Sequence, residues 1–209
     1  MRKITSILFI CFITIVLSTA THAAVIYYED FDATNGGYTH GGTQDEWEWG
    51  LDVNVGGVHT CWGTDLDSDY NNNSDQWLRS VAIDLTSVDA SQPLTLSFDF
   101  FGMSEFFYDL MYFDYSIDGG INWVNYYTGS TSDQSYEKVW RFHSEDITGL
   151  ALNVLELRWS LTSDVSVTRK GLYIDNVLID GTPNAVPEPA TMLLLGVGLI
   201  GLAGLRRQM

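Results

Sequence analysis

Cysteine is scarce in this 209-residue sequence, which contains Cys11 and Cys61 and no other cysteine. Cys11 lies in an apolar N-terminal run that has the form of a cleaved leader, so Cys61 is left alone in the remaining chain. A single cysteine cannot form an internal disulfide. We therefore expect a buried, unreactive thiol and a fold that is held by packing or by a metal ion, without a covalent cross-link.

Basic residues are also scarce, with 10 Lys and Arg against 27 Asp and Glu. Between residues 25 and 182 there are 6 basic and 26 acidic residues, a net charge of −20. Such a chain lacks the basic surface that nucleic acid requires, so we predict no nucleic-acid partner. The charge favours an extracellular protein that can bind cations. An aromatic content of 13% argues against disorder.

The common catalytic motifs are missing as well. The four histidines include no pair four residues apart, which excludes the usual zinc-peptidase helix. No Gly-x-Ser-x-Gly sequence occurs, which removes the serine-hydrolase elbow. In "DEWEWG", Glu46 and Glu48 alternate without the aspartate that some sandwich-fold glycosidases place between two glutamates. We therefore predict no catalytic residues and a protein that is not an enzyme.

The N-terminus has the pattern of a secretory signal peptide. Arg2 and Lys3 precede the apolar segment 7–17, and the small residues of "STATHAA" follow it. Eleven apolar residues are too few to cross a hydrocarbon core of ~30 Å. The pattern predicts a signal helix over residues 1–24 that is cleaved after Ala23 or Ala24.

The C-terminus contains a second apolar run, residues 190–205, which ends at two arginines. A helix of sixteen residues is only ~24 Å long, which is short for a permanent anchor. The basic end fits a membrane helix that ends on the cytoplasmic side, with the main part of the protein outside the cytoplasm. We expect a short hydrophobic helix that holds the chain transiently in the inner membrane.

The segment "VPEPATMLLLGVGLIGLAGLRRQ" resembles the C-terminal sorting signal called PEP-CTERM. The resemblance implies processing by an exosortase, export to the envelope, outer surface or extracellular matrix, and a Gram-negative bacterium that makes exopolysaccharide. It places a sorting segment at residues 183–209, with cleavage near the Pro-Glu-Pro motif. The motif residues are Pro187, Glu188, Pro189, Arg206 and Arg207.

The central part, residues 25–182, shows the two-residue alternation of β-strands and no long helical stripe. Nine segments qualify, separated by turns rich in Gly, Asn, Ser and Asp. They predict an all-β fold with two antiparallel sheets, a jelly-roll sandwich. The segments are 25–31, 47–52, 76–84, 93–101, 110–117, 122–127, 136–143, 154–161 and 171–180.

The clearest local motif is "SIDGGINW", residues 116–123. Asp118, Gly119 and Gly120 lie between two strand patterns, where glycine supplies the positive φ of a hairpin turn. The string also fits an Asp-box, a motif of sialidase-like propellers. It occurs once, whereas a propeller would repeat it in every blade. We interpret it as a turn and not as a catalytic site.

The central part as a whole is similar to bacterial MAM-like jelly-roll domains, which also accompany secreted peptidases of the immune-inhibitor type. The similarity runs through "CWGTDLDSDYNNNSDQWLRSVAIDLTS", "LSFDFF", "FDYSIDGGINW" and "GLYIDNVLIDG". It implies a concanavalin-like sandwich, an adhesive role or the binding of a polysaccharide or surface protein, and often a structural calcium ion. Family members usually have proline at the position of Val81 and aspartate at that of Asn176.

Two groups of acidic residues are candidate calcium ligands. The first strand and the last would lie side by side in a closed sandwich, and Glu29, Asp30 and Asp175 would then offer the oxygen ligands that calcium prefers. The second group alternates in "DLDSDYNNNSDQ". An EF-hand is excluded there, because its sixth and twelfth positions hold Tyr70 and Gln76. A looser oxygen site and a solvated acidic loop both remain open for the second group, Asp65, Asp67 and Asp69.

All seven tryptophans lie in the central part, and most should fill the core. One or two exposed indoles beside Asp or Asn would stack on sugar rings. "DEWEWG" and "HTCWGTD" favour Trp47, Trp49 and Trp62 as ligand-binding residues. The sequence therefore predicts an exported, non-enzymatic binding protein. A glycan-active enzyme on the same sandwich and a purely structural matrix component are the alternatives.

Overall fold

The computed structural model describes residues 23–129 and 139–184, together with Gly196. Within these residues the chain forms twelve β-strands and a short 3₁₀ helix, Thr148–Leu150. The strands are β1 Ala24–Glu29, β2 Thr39–Thr43, β3 Trp47–Leu51, β4 Thr60–Thr64, β5 Asp75–Arg79, β6 Ile83–Asp84, β7 Thr95–Met103, β8 Leu110–Ser116, β9 Val124–Gly129, β10 Arg141–Asp146, β11 Val154–Thr162 and β12 Gly171–Gly181.

The strands form two antiparallel sheets. The first sheet has the order β10-β7-β12-β4-β3, and β1 also pairs with β12. The second has the order β2-β5-β11-β8-β9, and β6 also pairs with β11. The prediction of an all-β, two-sheet antiparallel sandwich is confirmed. The finer assignment to the jelly-roll class stays a prediction.

The main core lies between the two sheets and follows the predicted alternation. In β7 the inward residues Leu96, Phe98 and Phe100 are buried, while Asp99 lies on the opposite face. The Phe98 ring packs edge-on against Phe113, 5.0 Å away, and against Trp159, 5.5 Å away. Aromatic pairs of this geometry add to the burial of apolar area that stabilises the sandwich.

A smaller apolar cluster covers the outer face of the first sheet. It contains Val55, Cys61, Leu66, Phe101 and Tyr173. The thiol of Cys61 is buried and free, as the sequence suggested. Burial, followed by the negative charges of Asp52 and Asp175, raises the pKa of this thiol far above its ordinary value. Cys61 therefore stays protonated and unreactive at neutral pH.

The structure contains strands that the sequence pattern did not indicate. Strand β2 has the sequence "THGGT" and β4 has the sequence "TCWGT", and neither shows clear alternation. Both form because the strands beside them, β5 and β12, supply hydrogen-bonding partners. The predicted strand 76–84 is divided at Ser80, whose hydroxyl accepts the Leu157 N–H at 2.9 Å.

The turn between β8 and β9 has the conformation expected for residues 116–123. Gly119 and Gly120 have φ of 73° and 79°. The carboxylate of Asp118 accepts the backbone N–H groups of Ile121 and Asn122, at 3.1 and 2.9 Å. The bond from the Asn122 N–H, followed by those from the Asn122 side-chain amide and the Ser116 hydroxyl, lowers the pKa of Asp118 to about 2. The turn therefore remains charged and hydrogen-bonded throughout the physiological pH range.

The predicted signal helix (residues 1–24, apart from its last two residues), the C-terminal helix and the sorting-motif residues lie outside the described residues. Within the described part, no helix has the length and apolar character needed to cross a membrane. The predicted boundaries at residues 24 and 182 stay predictions. Just beyond the second of these, Pro183 still pairs with Val88 through an isolated bridge.

Candidate functional site

An open groove of about 480 Å³ lies on the outer face of the second sheet. Its floor comes from strands β5, β11 and β8, and its rim from β9 and the turn before it. The groove forms because residues that alternate with the buried core positions all project to this face. Its lining residues are Asp75, Trp77, Tyr112, Asp114, Trp123, Asn125, Thr128, Arg158, Ser160 and Thr162.

Three aromatic side chains form the apolar part of the groove. Trp77 lies beside Gly41 of the neighbouring strand β2, where a Cβ atom would come within 2.8 Å of its Cζ2. The absence of a side chain at Gly41 thus leaves room for the indole. Trp123 follows the Asp118 turn, and its ring centroid lies 4.3 Å from Cζ of Arg158. Tyr112 lies between them in the sheet order, on β8.

The polar side chains between these rings are held by hydrogen bonds. Arg158 donates to Oδ2 of Asp114 from Nε at 3.1 Å and from Nη2 at 2.8 Å. Asn125 donates to Oδ1 of the same carboxylate at 2.8 Å. The Thr128 hydroxyl donates to Oδ1 of Asn125, also at 2.8 Å. These charge-assisted bonds hold both oxygens of Asp114, so the groove presents fixed donors and acceptors.

Together these groups can bind a ligand that has an apolar face and polar edges. Indole and phenol rings offer flat apolar area at low conformational cost. Hydroxyl, amide and guanidinium groups offer directed hydrogen bonds. The combination of apolar walls and a few placed polar groups is characteristic of small-molecule and cofactor sites.

The tryptophans that the sequence favoured lie elsewhere. Trp47 and Trp62 are only 2% and 3% exposed and belong to the main core. Neither presents a ring face to a ligand. Trp49 is 40% exposed on β3, at the edge of the first sheet, and its indole N–H donates to the carbonyl of Phe31. Of these three residues, Trp49 alone offers accessible aromatic surface.

The first predicted calcium set is divided between two environments, because successive side chains at the end of β1 point in opposite directions. Tyr28 faces outward, and Asp30 and Asp175 lie near enough to its hydroxyl to raise its pKa, after the larger effect of burial. Glu29 has a different environment: its carboxylate accepts the Phe31 N–H and lies against Gly36. Asp175 lies 3.4 Å from Nδ1 of His59. The set Glu29, Asp30 and Asp175 stays a prediction.

The second predicted set is organised by its own hydrogen bonds. Asp65 has φ of 64°, and its Oδ1 accepts the N–H groups of Asp67 and Ser68. Asp69 forms an ion pair with Lys170 at 3.0 Å. Asp67 is exposed. This arrangement accounts for the charge pattern of the loop without a metal ion, and the metal role of these residues also stays a prediction.

A third group of carboxylates lies at one end of the sandwich and was not anticipated. Among the described residues, one set has ligand oxygens that all lie within 4.8 Å of one another: Glu105, Asp109 and Asp164. Asp109 is fully buried and accepts hydrogen bonds from the Tyr70 hydroxyl and from the Asp164 N–H. Oε2 of Glu105 is buried and has no hydrogen-bond partner. These oxygens could hold a hard cation such as calcium.

The groove residues were also missed by sequence reasoning. Trp77 and Tyr112 lie at outward positions of strands whose inward positions are clearly apolar. This alternation along each strand was the sequence feature that could have placed both aromatic rings on the outer face. It was not decisive, because the outer face of a strand is as often bare surface as binding surface. Trp123 carried the further signal of closing the Asp118 turn.

The described part of the chain is therefore an antiparallel β-sandwich with an open aromatic and polar groove on one sheet. Beyond it, residues 185–208 match the family model described as the PEP-CTERM protein-sorting motif. The resemblance predicted from the C-terminal sequence is confirmed. This sorting signal marks the chain as an exported cell-surface protein of a Gram-negative bacterium, and it implies processing by an exosortase.

The sandwich is similar to known proteins at low identity. Bacillopeptidase F of Bacillus subtilis is 28% identical over 161 residues, which is 73% of this chain. The chain spans about a tenth of the length of that relative. The K3 cleaved adhesin domain of Lys-gingipain from Porphyromonas gingivalis has a TM-score of 0.50 and 14% identity, covering 76% of this chain and 99% of that domain. This likeness shows a shared sandwich fold.

TmCBM61, solved in complex with β-1,4-galactotriose, has a TM-score of 0.44 and 11% identity. The match covers 72% of this chain and 89% of that one.

Proposed function

We propose that this protein is a non-enzymatic binding protein of the cell surface or extracellular matrix, and that its sandwich binds a glycan in the groove of the second sheet. The observation that carries the proposal is the arrangement of Trp77, Tyr112 and Trp123 around fixed polar groups. A sugar ring has apolar C–H faces and hydroxyl edges, which match aromatic rings and planar polar side chains respectively.

The glycan-active enzyme, which is the main alternative, finds little support in the groove. Glycoside hydrolysis needs two carboxyl groups about 5 to 9.5 Å apart. The groove carboxylates are Asp75 and Asp114, which lie opposite Thr162 and Arg158 of β11. Four residues of strand separate these positions, about 13 Å along the sheet. Asp114 is moreover occupied by Arg158 and Asn125.

The binding proposal is tested with a glycan array and titration calorimetry of the purified chain. We expect Trp77→Ala and Trp123→Ala each to weaken glycan binding by about tenfold or more, since buried aromatic anchors dominate binding energy. Trp49→Ala is the matched control, because it removes a partly exposed indole from the other sheet. It should leave binding unchanged.

Two results would count against this assignment. Loss of binding in Trp49→Ala, with full binding in Trp77→Ala, would move the site to the edge of the first sheet. If the wild-type chain binds no glycan on the array, the glycan-binding proposal is wrong and the purely structural matrix role is favoured. Release of reducing ends from a bound glycan would instead favour the enzyme.

We further propose that exosortase cleaves the chain near Pro187–Pro189 after a transient stay in the inner membrane, and that export begins with cleavage of the N-terminal signal peptide. Support comes from the match over residues 185–208 and from the order of motif, apolar run and Arg206–Arg207. The bound glycan would then be an exopolysaccharide of the surface or matrix. A surface protein as the ligand is the other outcome of the binding experiment.

A further inference from the structure

The groove contains three charged side chains, and two of them neutralise each other. Arg158 and Asp114 form the two-pronged pair described above, at 2.8 and 3.1 Å. The Arg158 guanidinium also lies over the ring of Trp123. Arg79, the next arginine along this sheet, is paired with Glu156 and with the carbonyl of Gly119. Neither guanidinium is available to neutralise a negatively charged ligand.

The third charge is Asp75, and it is unpaired. Its residue is exposed at the start of β5, and its carboxylate makes no hydrogen bond or ion pair with the described residues of the chain. It lies on the same face of β5 as Trp77, two residues or about 7 Å along the strand. A ligand stacked on Trp77 would therefore place its next polar group near this carboxylate.

The surroundings of the groove strengthen its negative potential. Residues 25–182 carry a net charge of −20, and the groove itself carries a net charge of −1. An acidic protein repels polyanions over a distance of about 8 to 10 Å at physiological salt. Polysaccharides rich in uronate, sulfate or phosphate are thus disfavoured, and a ligand with positive charge is favoured.

We infer that the groove selects a glycan that carries free amino groups, a polymer of partly de-N-acetylated hexosamine, and that Asp75 determines this specificity by pairing with the sugar ammonium group. The inference rests on the proposed glycan-binding function. A carboxylate is the natural partner of an ammonium group, and pairing at an exposed site adds a modest and salt-sensitive preference. Stacking on Trp77 and Trp123 provides the rest of the affinity.

The test compares two oligosaccharides that have one backbone and differ in charge: the β-1,4-linked glucosamine hexamer and its fully N-acetylated form. The measurement is made at pH 5, where the amino groups of the glucosamine hexamer are protonated. We expect the full-length chain to bind the glucosamine hexamer about threefold or more tightly than the acetylated one. Raising the salt concentration should remove that preference.

Two variants of equal net charge separate a local pairing from the general field of the protein. Asp75→Asn should abolish the preference for the amine while it retains the Trp77-dependent binding of the acetylated hexamer. Asp146→Asn removes one exposed carboxylate from β10 of the other sheet, outside the groove, so it should keep the preference. An equal loss in both variants would overturn the assignment to Asp75.

Three further outcomes would each overturn the inference. Equal or tighter binding of the acetylated hexamer would overturn the inference and leave glycan binding intact. A glycan array on which the chain binds only neutral or anionic glycans would also overturn the inference and leave glycan binding intact. An array on which nothing is retained would remove the proposed function itself, and the inference with it.

Discussion

Asp175 illustrates how burial changes the chemistry of a single residue. Its carboxyl group is almost wholly enclosed on the outer face of the first sheet, close to His59 and opposite Asp99 of β7. Burial raises its pKa to about 6, and Asn176 N–H and His59 oppose that rise only in part. The folded chain therefore binds this proton more tightly than the unfolded chain does.

The raised pKa predicts the direction of a pH effect. The stabilising contribution of Asp175 is fully present below about pH 4 and is lost as the pH rises through about 6. Asp175→Asn should therefore stabilise the fold above pH 6, on the order of 2 kcal/mol, and have little effect at pH 4. Urea denaturation in the presence of EDTA at pH 4 and pH 7 measures both values.

The comparison with wild type at each pH cancels the contribution of His143. Burial among the core aromatic rings lowers the pKa of this imidazole. Its contribution is present above its ordinary pKa and is lost as the pH falls, which is opposite to the effect of Asp175. An equal change in stability at pH 4 and pH 7 would contradict the prediction for Asp175→Asn.

At the scale of elements, the β8–β9 turn connects a sequence motif to the groove. Asp118 accepts the N–H groups of Ile121 and Asn122 and the side-chain amide of Asn122. The Ser116 hydroxyl donates to it as well, at 2.8 Å. These bonds set the course of the chain into Trp123, so the turn positions one of the stacking rings.

This role gives a prediction for the turn. Asp118→Ala removes all four acceptor contacts, and we expect it to weaken glycan binding by about fivefold, somewhat less than the loss of Trp123 itself. Asp118→Asn keeps one acceptor oxygen for the two backbone N–H groups and should have a smaller effect. Calorimetry measures the affinity. Tighter or unchanged binding in Asp118→Ala would show that Trp123 is positioned without the turn.

The elements also show where strand prediction succeeded and where it failed. β7, β8, β11 and β12 were predicted because their alternation is strong and each contributes buried residues to the core. β2 and β4 were missed because their glycines and small polar residues carry no period-two signal. Such strands depend on their neighbours for pairing, and that information is not local.

At the scale of the whole molecule, calcium can be tested as a contributor to the stability of a sandwich in which the described residues form no disulfide. Calcium would stabilise the folded chain by binding to it and not to the unfolded chain. We compare two of the three candidate sites: the predicted set that includes Asp175, and the group at Glu105, Asp109 and Asp164. The two lie on different parts of the sandwich, so variants can distinguish them.

Thermal melting with calcium and with EDTA provides the measurement. If calcium binds at Glu105, Asp109 and Asp164, Asp109→Asn should abolish the increase in melting temperature that calcium causes, and Asp175→Asn should preserve it. The reverse pattern would support the predicted site. Saturation at a hundredfold excess over Kd corresponds to about 2.7 kcal/mol, or several degrees for a domain of this size. No shift in the wild-type chain would remove the calcium proposal.

The sequence by itself determined the fold class and the sorting signal of this protein. The sorting motif is linear and depends on the order of adjacent residues, and the β-class follows from a local two-residue period. The tertiary structure decided which tryptophans are exposed and which carboxylates meet. Trp47 and Trp77 both occur in strands, yet one is buried and the other lines a groove, because sheet packing determines which face is covered. The groove and the Glu105 cluster join residues far apart in the chain, and only strand pairing brings them together.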